Sequence, residues 1–133
     1  MKLTAKANGR FIISPDTNPK IIKKTKRLGM ISIPGALTPT EAASAYRAGA
    51  DFVKLFPISV FGKDYIKAVA APLSNIKFLA VGGINESNVK EYLDGGAAGV
   101  GIGANIINKT FIENGNFAAI TELAKKYVEL SRN

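Results

Sequence analysis

"TPTEAASAYRAGADFVKLFP", residues 38 to 57, contains one complete step from helix to strand. Thr38 stands as an N-cap, Pro39 takes the first helical position and Glu41 the third, so the segment opens with a capping box. Gly49 marks the end of the helix. A short turn later Phe52, Val53, Leu55 and Phe56 make an apolar strand, which Pro57 ends. Near-continuous apolar strands joined to amphipathic helices in this way indicate parallel βαβ units, with both faces of the sheet covered.

The same punctuation recurs on either side. Apolar, β-rich runs start at "FIIS" (11), "MISI" (30), "KFLAV" (77) and "GVGI" (99), which with "FVKLF" (52) makes five strands. Asn18 followed by Pro19, and Asn85 in "INESNVKEYLDGG", read as further helix starts, the latter with Val89, Tyr92 and Leu93 facing the core. "KANGRFII" and "DGGAAGV" repeat the glycine stop before a strand, and the opening MKLTAKANG reads as the tail of a helix whose own strand is missing. A five-stranded doubly wound sheet fits this count. So does part of a (β/α)8 barrel, since a whole barrel typically takes ~250 residues and ~200 at the least. Composition and periodicity do not choose between them.

With 133 residues, 47% hydrophobic and 21% charged, residues 1–133 read as one globular domain. No apolar run approaches the ~20 residues of a membrane span, so no membrane partner is expected. MKLTAKANGR lacks a signal-peptide core. The absence of cysteine rules out disulfide and thiolate chemistry and suits a cytoplasmic protein. The absence of histidine removes the commonest general base and metal ligand, and with it any Ser-His or Cys-His arrangement. The net charge of +8 owes much to Lys20, Lys23, Lys24, Lys26 and Arg27. Positions 20, 23, 24 and 27 share one helical face, with Ile21, Ile22, Thr25 and Leu28 turned elsewhere. This is a solvated outer face. A nucleic-acid patch would want aromatic or glycine-rich interleaving, so no nucleic-acid partner is expected.

Three features carry chemistry. Lys54 sits inside an apolar strand, on the side of Phe52 and Phe56 and opposite Val53 and Leu55. Burial would lower its pKa and free the amine as a nucleophile suited to Schiff-base formation with a ketone; a lysine that snorkels to water, or one in a structural ion pair, fits the same pattern. Next, "AVGGIN" (80–85) and "GVGIGAN" (99–105) each close a strand and are expected to open a helix. Gly82, Gly83 and Gly103 would let backbone N–H groups approach an anion there. Last, the carboxylates: Asp16, Glu41, Asp51, Asp64, Glu86, Glu91 and Asp94 all read as loop, cap or helix-surface positions.

Taken together, "FIISP", "SIPGALTPTEAASAYRAGADFVKLFP", "FGKDYIKAVAAPL" and "FLAVGGINESNVKEYLDGGAAGVGIGANI" resemble the KDPG/KHG aldolases, the 2-dehydro-3-deoxy-phosphogluconate and 4-hydroxy-2-oxoglutarate aldolases. The resemblance runs in order along nearly the whole chain. It implies a TIM-type (β/α)8 barrel of which this chain supplies about five units, four to eight. It further implies a homotrimeric class I aldolase with no metal or other cofactor, cleaving a 2-keto-3-deoxy sugar acid to pyruvate and an aldehyde. By position, Lys54 corresponds to the Schiff-base lysine, while Pro15 and Phe56 correspond to pocket residues. Val81, Gly82 and Gly83 correspond to the family's Thr-Gly-Gly substrate loop, and Gly103 and Ala104 to its Gly-Ser phosphate contact. Val81 and Ala104 lack the hydroxyls found there in better-known members. The resemblance also places the proton-moving glutamate, and an arginine and a threonine that hold substrate, on early strands that precede the matched units.

Overall fold

The structure is a computed structural model and describes residues 1–132. Its first sheet pairs β1 (Phe11–Ile13) with β2 (Ile31–Ile33) in parallel, Phe11 opposite Ile31 and Ile13 opposite Ile33. A second parallel sheet follows in chain order: β3 (Gly35–Ala36), β4 (Val53–Leu55), β5 (Phe78–Val81) and β6 (Gly99–Gly101). Pro34 divides β2 from β3 because it has no N–H to give a ladder. The carbonyls around it still bind both neighbours, Ile33 accepting from Ser14 N–H at 3.2 Å and Pro34 from Lys54 N–H at 2.9 Å.

Parallel neighbours need crossover connections, and helices supply them. α1 (Lys2–Lys6) precedes β1, and α2 (Pro19–Arg27) lies between β1 and β2. α3 (Pro39–Arg47) leads into β4, α4 (Lys63–Ala70) into β5 and α5 (Val89–Asp94) into β6, before α6 (Lys109–Glu113) and α7 (Phe117–Leu130). A 3₁₀ turn at Ile58–Val60 precedes α4.

The alternation of side chains along a strand sorts these residues into two faces. Ala36, Val53, Leu55, Phe78 and Ala80 point one way and pack with Ile22, Ala42, Ala45, Ile66, Val69 and Val89 from the helices in one buried cluster. Phe11, Ile13, Ile31, Lys54, Leu79 and Val81 point the other way and none belongs to that cluster. Phe11 and Ile13 are each 53% exposed and Ile31 is 40% exposed. Helices packed on one face only is the arrangement of a barrel wall. A doubly wound sheet would be covered on both.

The helix starts follow the sequence in two cases. Asn18 Oδ1 accepts from Lys20 N–H at 3.0 Å, with Pro19 in the first helical position. At α3, Thr38 Oγ1 accepts from Glu41 N–H at 3.3 Å, and Glu41 Oε2 accepts from the N–H groups of Thr38 and Leu37 at 2.8 and 2.9 Å. Two expectations are corrected. Asn85 does not cap α5: its Oδ1 is taken by Ser87 N–H at 2.9 Å in a local turn, and the helix starts after Asn88. "GVGIGAN" does not open a helix either, since α6 begins only at Lys109, behind Asn108. The helix stops at Gly49 (φ 100°) and Gly96 (φ 104°) take the left-handed conformation that glycine permits. Lys20, Lys23, Lys24 and Arg27 form an exposed face on α2, while Lys26 pairs with Asp51 at 2.6 Å. Among the described residues, no helix is long and apolar enough to cross a membrane.

The amide donors of Leu37 and Thr38, with the Thr38 hydroxyl, hold the Glu41 carboxyl below the usual carboxylate range. A depressed carboxyl contributes stability above its unfolded pKa and loses it as pH falls through its folded pKa. Thr38→Ala is therefore expected to cost about 1 kcal/mol at neutral pH. Glu41→Gln should flatten the acid-side decline of this contribution. Urea unfolding at neutral and acid pH measures both.

Candidate active site

Lys54 stands at the centre of β4, between Gly35 of β3 and Leu79 of β5. Gly35 has no side chain for a reason visible in its neighbour: a Cβ there would run into the Pro15 backbone carbonyl. The turn after β1, which carries Pro15, is thereby drawn against the strand that flanks Lys54. Lys54 Nζ lies 5.0 Å from the centre of the Phe56 ring, within reach of a cation–π contact when the amine is charged.

Burial pushes the Lys54 amine below the ordinary lysine range. Nothing offsets the burial: among the described residues the ion pairs involve Lys26, Lys63, Lys125 and Lys126, not Lys54. Asp51, three residues earlier, is engaged elsewhere, accepting from Lys26 Nζ at 2.6 and 2.7 Å and from Ser32 N–H at 2.8 Å. Burial raises the Asp51 pKa, but Lys26 and the Ser32 amide together outweigh it and hold the carboxyl low.

Beyond Phe56 opens a cleft of about 460 Å³. Its walls include Phe56, Val81, Gly82 and Gly83 on one side and Gly103 and Ala104 on the other, so six of the residues singled out in the sequence meet in one place. Lys54 and Pro15 do not line this cleft. Lys54 adjoins it through Phe56, and Pro15 lies in the turn against Gly35. Gly82 (φ 95°) and Gly83 (φ 75°) form a left-handed pair, and a Cβ on Gly83 would strike the Ser59 side chain. Among the described residues, the N–H groups of Gly82, Gly83, Ile84, Gly103 and Ala104 donate to no protein acceptor. Free backbone amides gathered in a concavity attract anions in general, which makes these turns a candidate anion site. The donors come from two turns, not from helix ends as the sequence suggested.

Other residues of the site escaped the sequence reading. Tyr65 donates its hydroxyl to the Leu37 carbonyl at 2.5 Å and so holds the turn after β3. Asn88 and Asn105 donate side-chain amides to the carbonyls of Gly83 and Ile84 at 3.0 and 2.5 Å. Their only signal in the sequence is an asparagine close behind a glycine turn, a position where its side chain readily bonds nearby backbone.

A parallel strand wall with helices outside is barrel-type architecture, and a lysine on the inner face beside a cleft is its candidate site. The KDPG and KHG aldolase family model matches residues 1–123. The chain is 40% identical over 103 residues to the 2-dehydro-3-deoxy-6-phosphogalactonate aldolase of Escherichia coli K12, covering 77% of this chain and 50% of that protein. A solved structure described as native KDPGal superposes with a TM-score of 0.81 at 35% identity, covering 97% of this chain and 63% of that one. The KDPG aldolase of Legionella pneumophila, solved with pyruvate captured as a covalent carbinolamine intermediate, gives a TM-score of 0.80 at 32% identity, over 89% of this chain and 58% of that one. This chain belongs to the KDPG and KHG aldolase family. It spans about half the length of the phosphogalactonate aldolases it matches.

Because burial disfavours the ammonium form, Lys54 is expected to react with an amine-directed reagent at a lower pH than the exposed Lys20, Lys23 and Lys24. Peptide mass mapping across a pH series reads this directly. Labelling of all four lysines at the same pH would remove the case for a depressed Lys54.

Proposed function

We propose that this chain provides the nucleophile and the anion-binding cleft of a Schiff-base aldolase acting on 2-keto-3-deoxy-6-phospho sugar acids. The observation that carries the reading is Lys54, a partly desolvated amine without a carboxylate partner, standing beside a cleft lined by free backbone amides. The neutral amine adds to the keto carbon, and loss of water leaves a protonated imine. Removal of the proton from the hydroxyl on C4 breaks the C3–C4 bond, releasing the aldehyde, and the electron pair passes into the imine as an enamine. Protonation of C3 and addition of water then free pyruvate and restore Lys54. The phosphorylated end of the substrate lies in the cleft, where the N–H groups of both turns face its charge. The names of the related proteins, one a phosphogalactonate and others phosphogluconate aldolases, support this substrate class.

Two proton transfers in this sequence, from the C4 hydroxyl and to C3, need a side chain that can take up a proton and give it back. On the strand face that bears Lys54, no residue of β1 to β6 other than Lys54 itself is ionisable. The proposal is therefore that this stretch forms the imine but turns over poorly or not at all by itself. Incubation with pyruvate and borohydride should give one reduced adduct, mapped to Lys54 and abolished in Lys54→Met. An unmodified Lys54 would sink the nucleophile assignment, and turnover at the rate of a full-length aldolase would sink the claim of a missing base.

A second reading, a partial barrel that completes itself by association, is favoured by the exposed Phe11, Ile13 and Ile31 on the open face. An uncovered apolar sheet face and unpaired strand edges invite further pairing. On this reading the chain should elute in size exclusion as an oligomer, and Ile13→Lys should shift it toward monomer. A well-behaved monomer before substitution would count against it.

A further inference from the structure

The two glycine turns of the cleft are joined by one side chain, Asn105. Its Nδ2 crosses from the turn after β6 to donate to the Ile84 carbonyl, in the turn after β5, at 2.5 Å. A second asparagine braces the first turn from within: Asn88 Nδ2 donates to the Gly83 carbonyl at 3.0 Å, and its Oδ1 accepts from Asn85 N–H at 2.8 Å. In the second turn the Gly103 carbonyl accepts from the N–H groups of Ile106 and Ile107, both at 2.9 Å.

These bonds orient the donors. A trans peptide is planar, so its C=O and the following N–H point in opposite directions. Where the Gly83 carbonyl is held back toward Asn88, the Ile84 N–H is turned away from it. Where the Gly103 carbonyl is held by Ile106 and Ile107, the Ala104 N–H is turned away likewise. Each turn thus fixes the direction of its own donor, but nothing within either turn sets the distance between the two. The β5–β6 ladder sets it only as far as Val81 and Gly101, and beyond that point Asn105 does. Without it, the left-handed Gly82–Gly83 pair, the most permissive backbone in the cleft, would be tied to the opposite wall only through the end of that ladder.

We propose that Asn105 is a positioning residue that holds the two turns at the spacing needed to grip one tetrahedral oxyanion from both sides, the phosphate end of the substrate. The inference rests on the aldolase reading above, and specifically on the cleft as its anion site. Asn105 is exposed at the rim, so its replacement leaves the core untouched.

The test is an amide NMR titration with inorganic phosphate, paired with pyruvate and borohydride trapping at Lys54. In the unsubstituted chain, phosphate should shift the amides of Gly82, Gly83, Ile84, Gly103 and Ala104 together. Asn105→Ala removes only the neutral bond to the Ile84 carbonyl, but the displaced turn should then lose one charge-assisted amide bond to the anion, weakening phosphate binding about tenfold or more. Asn105→Asp keeps the size of the side chain but cannot donate to Ile84, and it should do no better. The trapping rate with pyruvate, which carries no phosphate, should change far less than phosphate affinity. A general structural role would instead depress both readouts in parallel, and that result overturns the proposal. So does phosphate affinity in Asn105→Ala within about twofold of the starting value. If the unsubstituted chain shows no phosphate shifts, the anion-site reading itself fails and the Asn105 proposal with it. Failure of Lys54 trapping alone would count only against the nucleophile assignment.

Discussion

Side chains on a β-strand alternate between two faces, and here that alternation separates stability from chemistry. One face of the six strands carries Val53, Leu55, Phe78 and Ala80 into contact with the helices. The other carries Lys54 between Gly35 and Leu79. A shift of one residue in the register of β4 would exchange these roles, putting an ammonium into the packed layer and Val53 and Leu55 into the open. The burial of Val53 and Leu55 thus fixes where Lys54 projects. The site is positioned by apolar packing on the side of the sheet it does not occupy.

That division explains what could be read from the sequence. The capping box at Thr38 and Glu41, the Pro19 start and the helix stops at Gly49 and Gly96 are local devices whose chemistry sits within a few residues, and the structure shows each of them. Lys54 stood out because a charge inside an apolar run breaks the period. The choice between a doubly wound sheet and a barrel was not legible by pattern. It depends on whether helices pack on one face or two, and a strand of three residues reads much the same in either case. The asparagines were the weakest point. Asn85 seemed the natural cap, but its own turn with Ser87 takes its oxygen, while Asn88 and Asn105 act over distances the local pattern does not encode. Asn105 bonds a residue 21 positions away, a pairing that exists only once β5 and β6 lie side by side.

Two kinds of electrostatics meet in the site. Lys54 is tuned by the removal of water, which favours its neutral form. The cleft beyond Phe56 is tuned by backbone dipoles, which favour an anion and do not titrate. On the aldolase reading, donors of this kind would hold a phosphate at any pH at which the fold persists, whereas the amine would have to be deprotonated to attack. Having Val81 and Ala104 where the resemblance leads one to expect hydroxyls leaves this logic in place, because the free donors of the cleft are the N–H groups of Gly82, Gly83, Ile84, Gly103 and Ala104, which need no side-chain hydroxyl at either position. On the same reading, the apolar side chains reduce how many donors a phosphate would meet there.

Proton transfer is subject to the same division of faces. Along the face that bears Lys54, the residues in register are Phe11, Ile13, Ile31, Ile33, Gly35, Leu79, Val81, Gly99 and Gly101. None of them ionises. The nearest carboxylate in sequence, Asp51, is held by Lys26 and the Ser32 amide, and moving it would break an ion pair and leave a backbone donor without its acceptor. On the aldolase reading, the group that takes the proton from the C4 hydroxyl therefore reaches Lys54 across the open face, the side where Phe11, Ile13 and Ile31 are uncovered. The exposed apolar surface and the missing base are then a single requirement. On that reading, a cover for the face would bring both an apolar surface to match the three side chains and a group able to take up a proton beside Lys54.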